Sequence, residues 1–408
     1  MKIRSITLGT ELSSGLGSTI EWAGGTLVTV AERFQKAGYE VQTTRVSLPP
    51  LSSLGLAKTD VRDFAAEVDA VAAATQVGYV ALGPIRWSDD ERLAAALTSS
   101  LPAAIAESER VFGSVETADA TGVRFDAVEA AAGIIRTLAE STDQGFGNLR
   151  FAALANCPAG VPFFPAAYHE GAEPMFGLAI QAADVGLRAV QQVTTIEESE
   201  QRLKAAVQAE LARLEAVAIG VESELGLRYA GADPTLAPFP DDRESIGAVL
   251  EALGVGRFGA AGTLTAAALV TRALRAVEAR RCGFAGLMLP VLEDSVLARS
   301  AAEGLYSWEE LLLYSSVCGT GLDTVPLPGN IGADELAAII LDVSTLAIAL
   351  DKPLTCRLFP VPGKAAGDLT GFDFAYFAKG GILRAKGFGS PVLMRRGLAG
   401  QRASGHSR

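Results

Sequence analysis

Polar and apolar positions along the chain follow two periods in turn. Met1-Lys2-Ile3-Arg4-Ser5-Ile6-Thr7-Leu8-Gly9 alternates, which is the period of a strand. Residues 19–37 have helical spacing and stop at Gly38, suited to the left-handed turn that ends a helix. The same rhythm predicts strands at 40–46, 79–82, 111–115 and 149–156, and helices at 61–74, 89–108 and 125–140. Strands alternating with helices imply parallel strands covered by helices. The second half is more helical. In 196–225 the apolar residues Leu203, Val207, Leu211, Leu214, Ala218 and Val221 recur with a period close to 3.6. Glu198 with Arg202 and Glu200 with Lys204 add favourable i,i+4 pairs. Such a long amphipathic helix belongs on the outside, at a subunit contact of a homodimer or higher homo-oligomer. Further helices are expected at 243–253, 265–280, 308–315 and 333–350, and strands at 286–289, 324–327, 354–360 and 382–386.

Composition narrows the class. The 408 residues are 49% hydrophobic and carry 35 Lys plus Arg against 47 Asp plus Glu, a net charge of −12. That excludes a disordered chain and argues against nucleic acid as a partner. The uncharged run 151–169 contains Pro158, Pro162 and Pro165, so it does not read as a membrane span. Four scattered cysteines (Cys157, Cys282, Cys318, Cys356) suit reduced thiols in a cytoplasmic protein. No linker divides the chain, so one domain is expected over 1–397, followed by a disordered polar tail over 398–408. There are two histidines, His169 and His406. The second lies in that tail, which leaves His169 as the one imidazole of the folded body.

Several segments could carry chemistry. The buried strand 149–156 empties into a Pro/Gly loop holding Asn156, His169, Glu170 and Glu173, and sites in parallel sheets form at the carboxyl ends of strands. His169 suits a general base or a metal ligand; the bland alternative is a structural histidine bonded to a carbonyl. Asp233 opens a proline-rich loop and, unlike Asp241 and Asp242, has no helix to cap. Gly262-Thr263 ends a glycine-rich turn entering a helix, which would hold an anion or merely cap. Glu293-Asp294 follows a predicted strand, and Cys318 and Asp323 flank a tight glycine turn. Arg45 and Arg357 sit in apolar strands, where an arginine needs an anionic partner, either a substrate carboxylate or an internal acid.

In these segments the chain resembles the domain of unknown function 711 family of bacterial and archaeal proteins, over 3–397. The resemblance rests on Arg4-Ser5-Ile6-Thr7-Leu8-Gly9, Thr44-Arg45-Val46-Ser47, Gly113-Ser114-Val115, Ala155-Asn156 and Ala167-Tyr168-His169. It continues through Leu236-Ala237-Pro238, Gly262-Thr263, Val317-Cys318-Gly319-Thr320-Gly321-Leu322-Asp323 and Thr355-Cys356-Arg357. It implies a single large pyruvate formate-lyase-like α/β barrel, with helices outside and loops reaching the centre. It does not name a reaction. This chain departs from the family pattern at His169-Glu170-Gly171-Ala172-Glu173, at Val115-Glu116, and at Ala261, where relatives carry a histidine. A changed substrate or chemistry is the expected consequence. Arg384-Ala385-Lys386-Gly387-Phe388 has only a passing likeness to a glycyl radical loop, so radical chemistry through Cys318 is not expected.

The resulting expectation is a non-redox enzyme, a lyase, isomerase or hydrolase, acting on a small carboxylate-bearing metabolite. His169 would be the general acid or base. Asp233 or Asp323 would orient it, Arg45 or Arg357 would hold the anion, and Asn156 would stabilise developing charge. No organic cofactor is expected; Ca²⁺ or Mg²⁺ would find oxygen ligands in Glu173, Asp233, Asp294 and Asp323. The alternative is a metabolite-binding regulatory protein acting with an ACT-domain partner, which the resemblance suggests and the residues do not.

Overall fold

A computed structural model describes residues 1–12, 15–56, 60–385 and 391–405. Strands and helices follow one another in the first half: β1 (Lys2–Gly9), α1 (Leu16–Lys36), β2 (Thr44–Ser47), α2 (Asp60–Ala74), β3 (Tyr79–Ile85), α3 (Glu91–Ala106), β4 (Val111–Asp119), a short β5 (Gly122–Val123), α4 (Phe125–Ser141) and β6 (Phe151–Ala155). β1, β2, β3, β4 and β6 are parallel, as the rhythm predicts. After the loop that carries His169 come β7 (Met175–Gln181), α5 (Ala183–Val190), α6 (Ile196–Leu225) and β8 (Arg228–Ala237). The chain ends with α7 (Ile246–Leu250), α8 (Thr263–Arg275), α9 (Ser295–Ala302), α10 (Trp308–Ser315), β9 (Gly321–Pro328), α11 (Ala333–Ala349), β10 (Leu354–Val361) and α12 (Pro391–Gly405). β7 lies antiparallel to β1 and β10 antiparallel to β6, so the order is β8-β7-β1-β2-β3-β4-β6-β10-β9, with β5 on β4.

Among the described residues this ten-stranded mixed sheet is open, and a closed barrel ladder is not formed. Between its edge strands runs 281–290, expected in part as a strand, which makes one parallel bridge to each edge: Ala232 with Arg281 and Pro290 with Asp323. Gly283 (φ +74°) and Ala285 (φ +48°) interrupt any extended run there. Gly286 lies against Gly319, where a Cβ would come within 2.7 Å of the Gly319 Cα. β7 and β8 were hidden from pattern reading. Pro234 sits inside β8, an edge position where its missing N–H is tolerated, so Asp233 stands in a strand and not in a loop. The expected tail is helical from Pro391 to Gly405: buried Met394 packs into the core, and Gln401 accepts from the Phe125 N–H and donates to the Val123 carbonyl. His406 and Lys386–Phe388 lie outside the described residues. Among the described residues no helix is long and apolar enough to cross a membrane.

The two faces of the sheet differ. Ile6, Leu8, Val46, Val80 and Val115 join the apolar faces of the helices in the main core. On the opposite face Ala81, Phe112, Ala152 and Leu154 cluster with Val161, Phe163, Phe164 and Ala167 of the 156–174 loop. Ser5 Oγ and Thr7 Oγ1 both donate to the Pro162 carbonyl, at 3.1 and 2.9 Å, which fixes the loop along β1.

Asp294 organises the helical end. Fully buried, it accepts from the Val296 and Leu297 N–H groups at the start of α9, from those of Ile246 and Gly247 at the start of α7, and from Ser245 Oγ. Asp294→Ala strands five donors, and a loss of about 3–5 kcal/mol is expected, measured as a lowered urea midpoint.

Candidate functional site

Two β-bulges aim charged side chains at the inner face. In β1, strict alternation would put Arg4 with Ile6 and Leu8 among the helices. The pairing with β7 slips between Ile3 and Ser5, so Arg4 is the extra residue and turns to the same side as Ser5. In β9 the register against β10 slips opposite Arg357, where Asp323 and Thr324 (φ +45°) face one residue. Arg357 Nε donates to Asp323 Oδ1 at 2.6 Å and its Nη2 to Glu293 Oε1 at 2.7 Å. Arg4 Nη2 donates to the other Glu293 oxygen.

These residues line an open cleft with Gln42, Thr43, Arg45, Tyr79, Phe112 and Phe164. Arg45 differs from its neighbours. It is 9% exposed, its Nε donates to Thr43 Oγ1 at 2.9 Å, and its guanidinium lies 5.4 Å from the Tyr79 ring centre and 5.1 Å from that of Phe164. No carboxylate pairs with it among the described residues. Burial, reinforced by the neighbouring Arg4, lowers its pKa to about 10. Burial alone would raise Glu293, but the charges of Arg4, Arg357 and Arg45 outweigh it and hold that acid below its usual range. Asp323 moves the other way: burial outweighs Arg357, and the Glu293 charge adds to the rise.

The cleft lies at the amino ends of the parallel strands, not the carboxyl ends that the sequence suggested. Arg4, Arg45, Tyr79 and Phe112 are at the starts of β1, β2, β3 and β4. His169 is at the other end, packed on Gly9 and bonded through its N–H to the Leu48 carbonyl. Five residues of strand put roughly 16 Å between these ends of β1. The expectation that His169 works beside Arg45 and Arg357 is therefore corrected. Its ring is fully buried, and Nε2 donates to the Gly171 carbonyl at 2.7 Å, which leaves Nδ1 unprotonated and without a partner among the described residues. A Cβ on Gly9 would approach that Nδ1 to 2.7 Å.

The other expected residues are dispersed by their own bonds. Asp233 accepts N–H groups of Thr235, Phe284 and Ala285 and so clamps the irregular 281–290 segment to β8. Asn156 (φ +54°) donates to the Ala347 carbonyl on α11. Cys318 is buried, with its Sγ accepting from the Gly321 N–H. Gly262 lies in a groove with Ala261, Thr195 and Ile196, and Thr263 is buried, its Oγ1 donating to the Ala260 carbonyl. Ala261, where the resemblance implies a histidine, is exposed in that groove, whose lining does not include His169. Glu173 pairs with Arg228 on the surface, and Asp294 is the double cap described above. No group of three or more His, Cys, Asp or Glu is placed to hold a metal ion among the described residues. The four acids expected to share a cation do not fit that role. Arg4 and Gln42 were missed, and Glu293, named beside Asp294, was given no role. A bulge is invisible to alternation, and Glu293 was overshadowed by its neighbour Asp294.

Burial lowers the His169 pKa from its ordinary value near 6.5, with the Gly171 hydrogen bond partly opposing. Below about pH 6.5 the unfolded chain takes a proton that the folded one refuses, so this contribution to stability is lost as pH falls through that range. Thermal unfolding followed from about pH 7 to about pH 5 should therefore decline more steeply for the wild type than for His169→Asn.

A family profile described as uncharacterised ACR (DUF711) matches residues 1–375. A UPF0210 protein of Pyrobaculum arsenaticum is 34% identical, covering 98% of this chain and 94% of its own. A UPF0210 protein of Pyrobaculum aerophilum is 35% identical over 89% of this chain and 82% of its own. One from Desulforudis audaxviator is 29% identical over 97% and 93%. Matches of this extent, all to proteins named without an activity, mean that the chain belongs to the uncharacterised ACR (DUF711) family.

Proposed function

We propose that the protein is a non-redox enzyme, a lyase, isomerase or hydrolase, acting on a small carboxylate-bearing metabolite held in the arginine–aromatic cleft. The observation that carries this reading is Arg45, a buried cation without a carboxylate partner, stacked between two rings and facing free volume. An unpaired buried charge is costly, and a carboxylate ligand offsets that cost with charge-assisted hydrogen bonds. Tyr79, Phe112 and Phe164 offer an apolar wall for the rest of the molecule.

Proton transfer falls to Asp323 in this proposal, in place of His169. Arg357 occupies its Oδ1, while Oδ2 has no hydrogen-bond partner among the described residues. A buried carboxyl with a raised pKa and a free oxygen can exchange a proton with a bound molecule. Glu293, held ionised by two arginines, fixes Arg357 and Arg4 in place.

A panel of small carboxylic acids screened by thermal shift gives the test. Acids that raise the melting temperature of the wild type should lose on the order of tenfold to a hundredfold in affinity with Arg45→Met. Asp323→Asn should keep that binding and lose turnover. Equal affinity in wild type and Arg45→Met contradicts the anion site, and binding without turnover of any bound acid contradicts the enzyme and favours a regulatory protein.

A further inference from the structure

The anion-binding reading leaves two further atoms of the cleft unexplained. Arg4 Nη1 and Gln42 Oε1 are both buried without a hydrogen-bond partner among the described residues, and both residues line the cleft. One is a donor and the other an acceptor, and leaving either unpaired is unfavourable.

The orientation of the Gln42 amide follows from a relay of side chains. Glu244, paired with Lys2, accepts from Gln181 Nε2. A carboxylate only accepts, so Gln181 must turn its NH₂ to Glu244 and its Oε1 to Gln42. Gln42 in turn must give its own NH₂ to Gln181, at 2.7 Å, which leaves Oε1 as the accepting end of an amide in the cleft wall. The cleft therefore offers an acceptor of fixed orientation beside the arginine donors.

Charge selects what fits that acceptor. Arg4, Arg45 and Arg357 face Glu293 and Asp323, three cations against two anions, so one negative charge balances the cleft. A zwitterionic amino acid brings none, so it would leave the third arginine charge of the cleft unbalanced. A neutral hydroxyl donates to an amide oxygen without adding charge.

We infer that the ligand is a hydroxy acid: a monoanion whose carboxylate meets Arg45 and Arg4, whose hydroxyl donates to Gln42 Oε1, and whose apolar body lies on Tyr79, Phe112 and Phe164. This rests on the anion-binding reading above and names its ligand class. Calorimetry with 3-phenyllactate, 3-phenylpropionate and phenylalanine separates the two. The wild type should bind 3-phenyllactate on the order of tenfold tighter than 3-phenylpropionate, with phenylalanine weakest. Gln42→Met should bring the first two together by weakening 3-phenyllactate alone. Gln181→Met, outside the cleft, should do the same by freeing Gln42 to turn; both variants are checked by thermal unfolding, and either one folded suffices. Equal affinity of the wild type for 3-phenyllactate and 3-phenylpropionate, or tightest binding of phenylalanine, overturns the hydroxy-acid inference while Arg45-dependent binding leaves the anion site standing. Failure of all three to bind overturns the inference, and binding that survives Arg45→Met overturns the anion site.

Discussion

The interior of this protein is built around one buried guanidinium, that of Arg357. It bridges Asp323 on β9 and Glu293 in the irregular segment before α9, and Glu293 passes the link on to Arg4 on β1. Four segments far apart in the chain are joined by charge in a place where water would otherwise have to enter. Burying such a group is unfavourable unless the pairing is near complete. Arg357 meets that condition, with a third bond to the Leu149 carbonyl at 3.4 Å. Arg45 does not, and the difference between these two buried arginines separates a structural cation from one left for a ligand.

The sheet also separates two regions that the sequence joins. At the carboxyl ends of the parallel strands, the histidine loop is closed by its own hydrogen bonds: Tyr168 to the Cys157 carbonyl, Gly160 to the Tyr168 carbonyl, and His169 to the Leu48 and Gly171 carbonyls. At the amino ends, the tip of the same loop contributes Phe163 and Phe164 to the cleft. The loop thus carries structural bonds at its base and ligand-facing rings at its tip. An imidazole at the base is neutral and enclosed, suited to holding the loop rather than to moving protons.

Much of this was legible in the sequence, for reasons that also explain the gaps. The helix Ile196–Leu225 emerges with the ends its apolar period implies, because a long regular stripe leaves little ambiguity. Arg45 and Arg357 were recognised because an arginine inside an apolar strand demands an anion. β8 was missed because prolines read as loop signals unless the strand is known to lie at an edge. Arg4 was missed because a bulge reverses the face that alternation assigns, and Gln42 because its role depends on Gln181 and Glu244, 139 residues and more away along the chain. His169 drew attention by its rarity, and rarity carries no information about where the ring points.

The account stands or falls on Arg45 being held open for an anion. Crystals of the ligand-free protein soaked in bromide, with data collected at the bromine absorption edge, test this most directly. An anomalous peak in the cleft within hydrogen-bonding distance of the Arg45 terminal nitrogens is the predicted result. Arg45 found paired with Asp323 or Glu293, and no bromide beside it, would contradict the account.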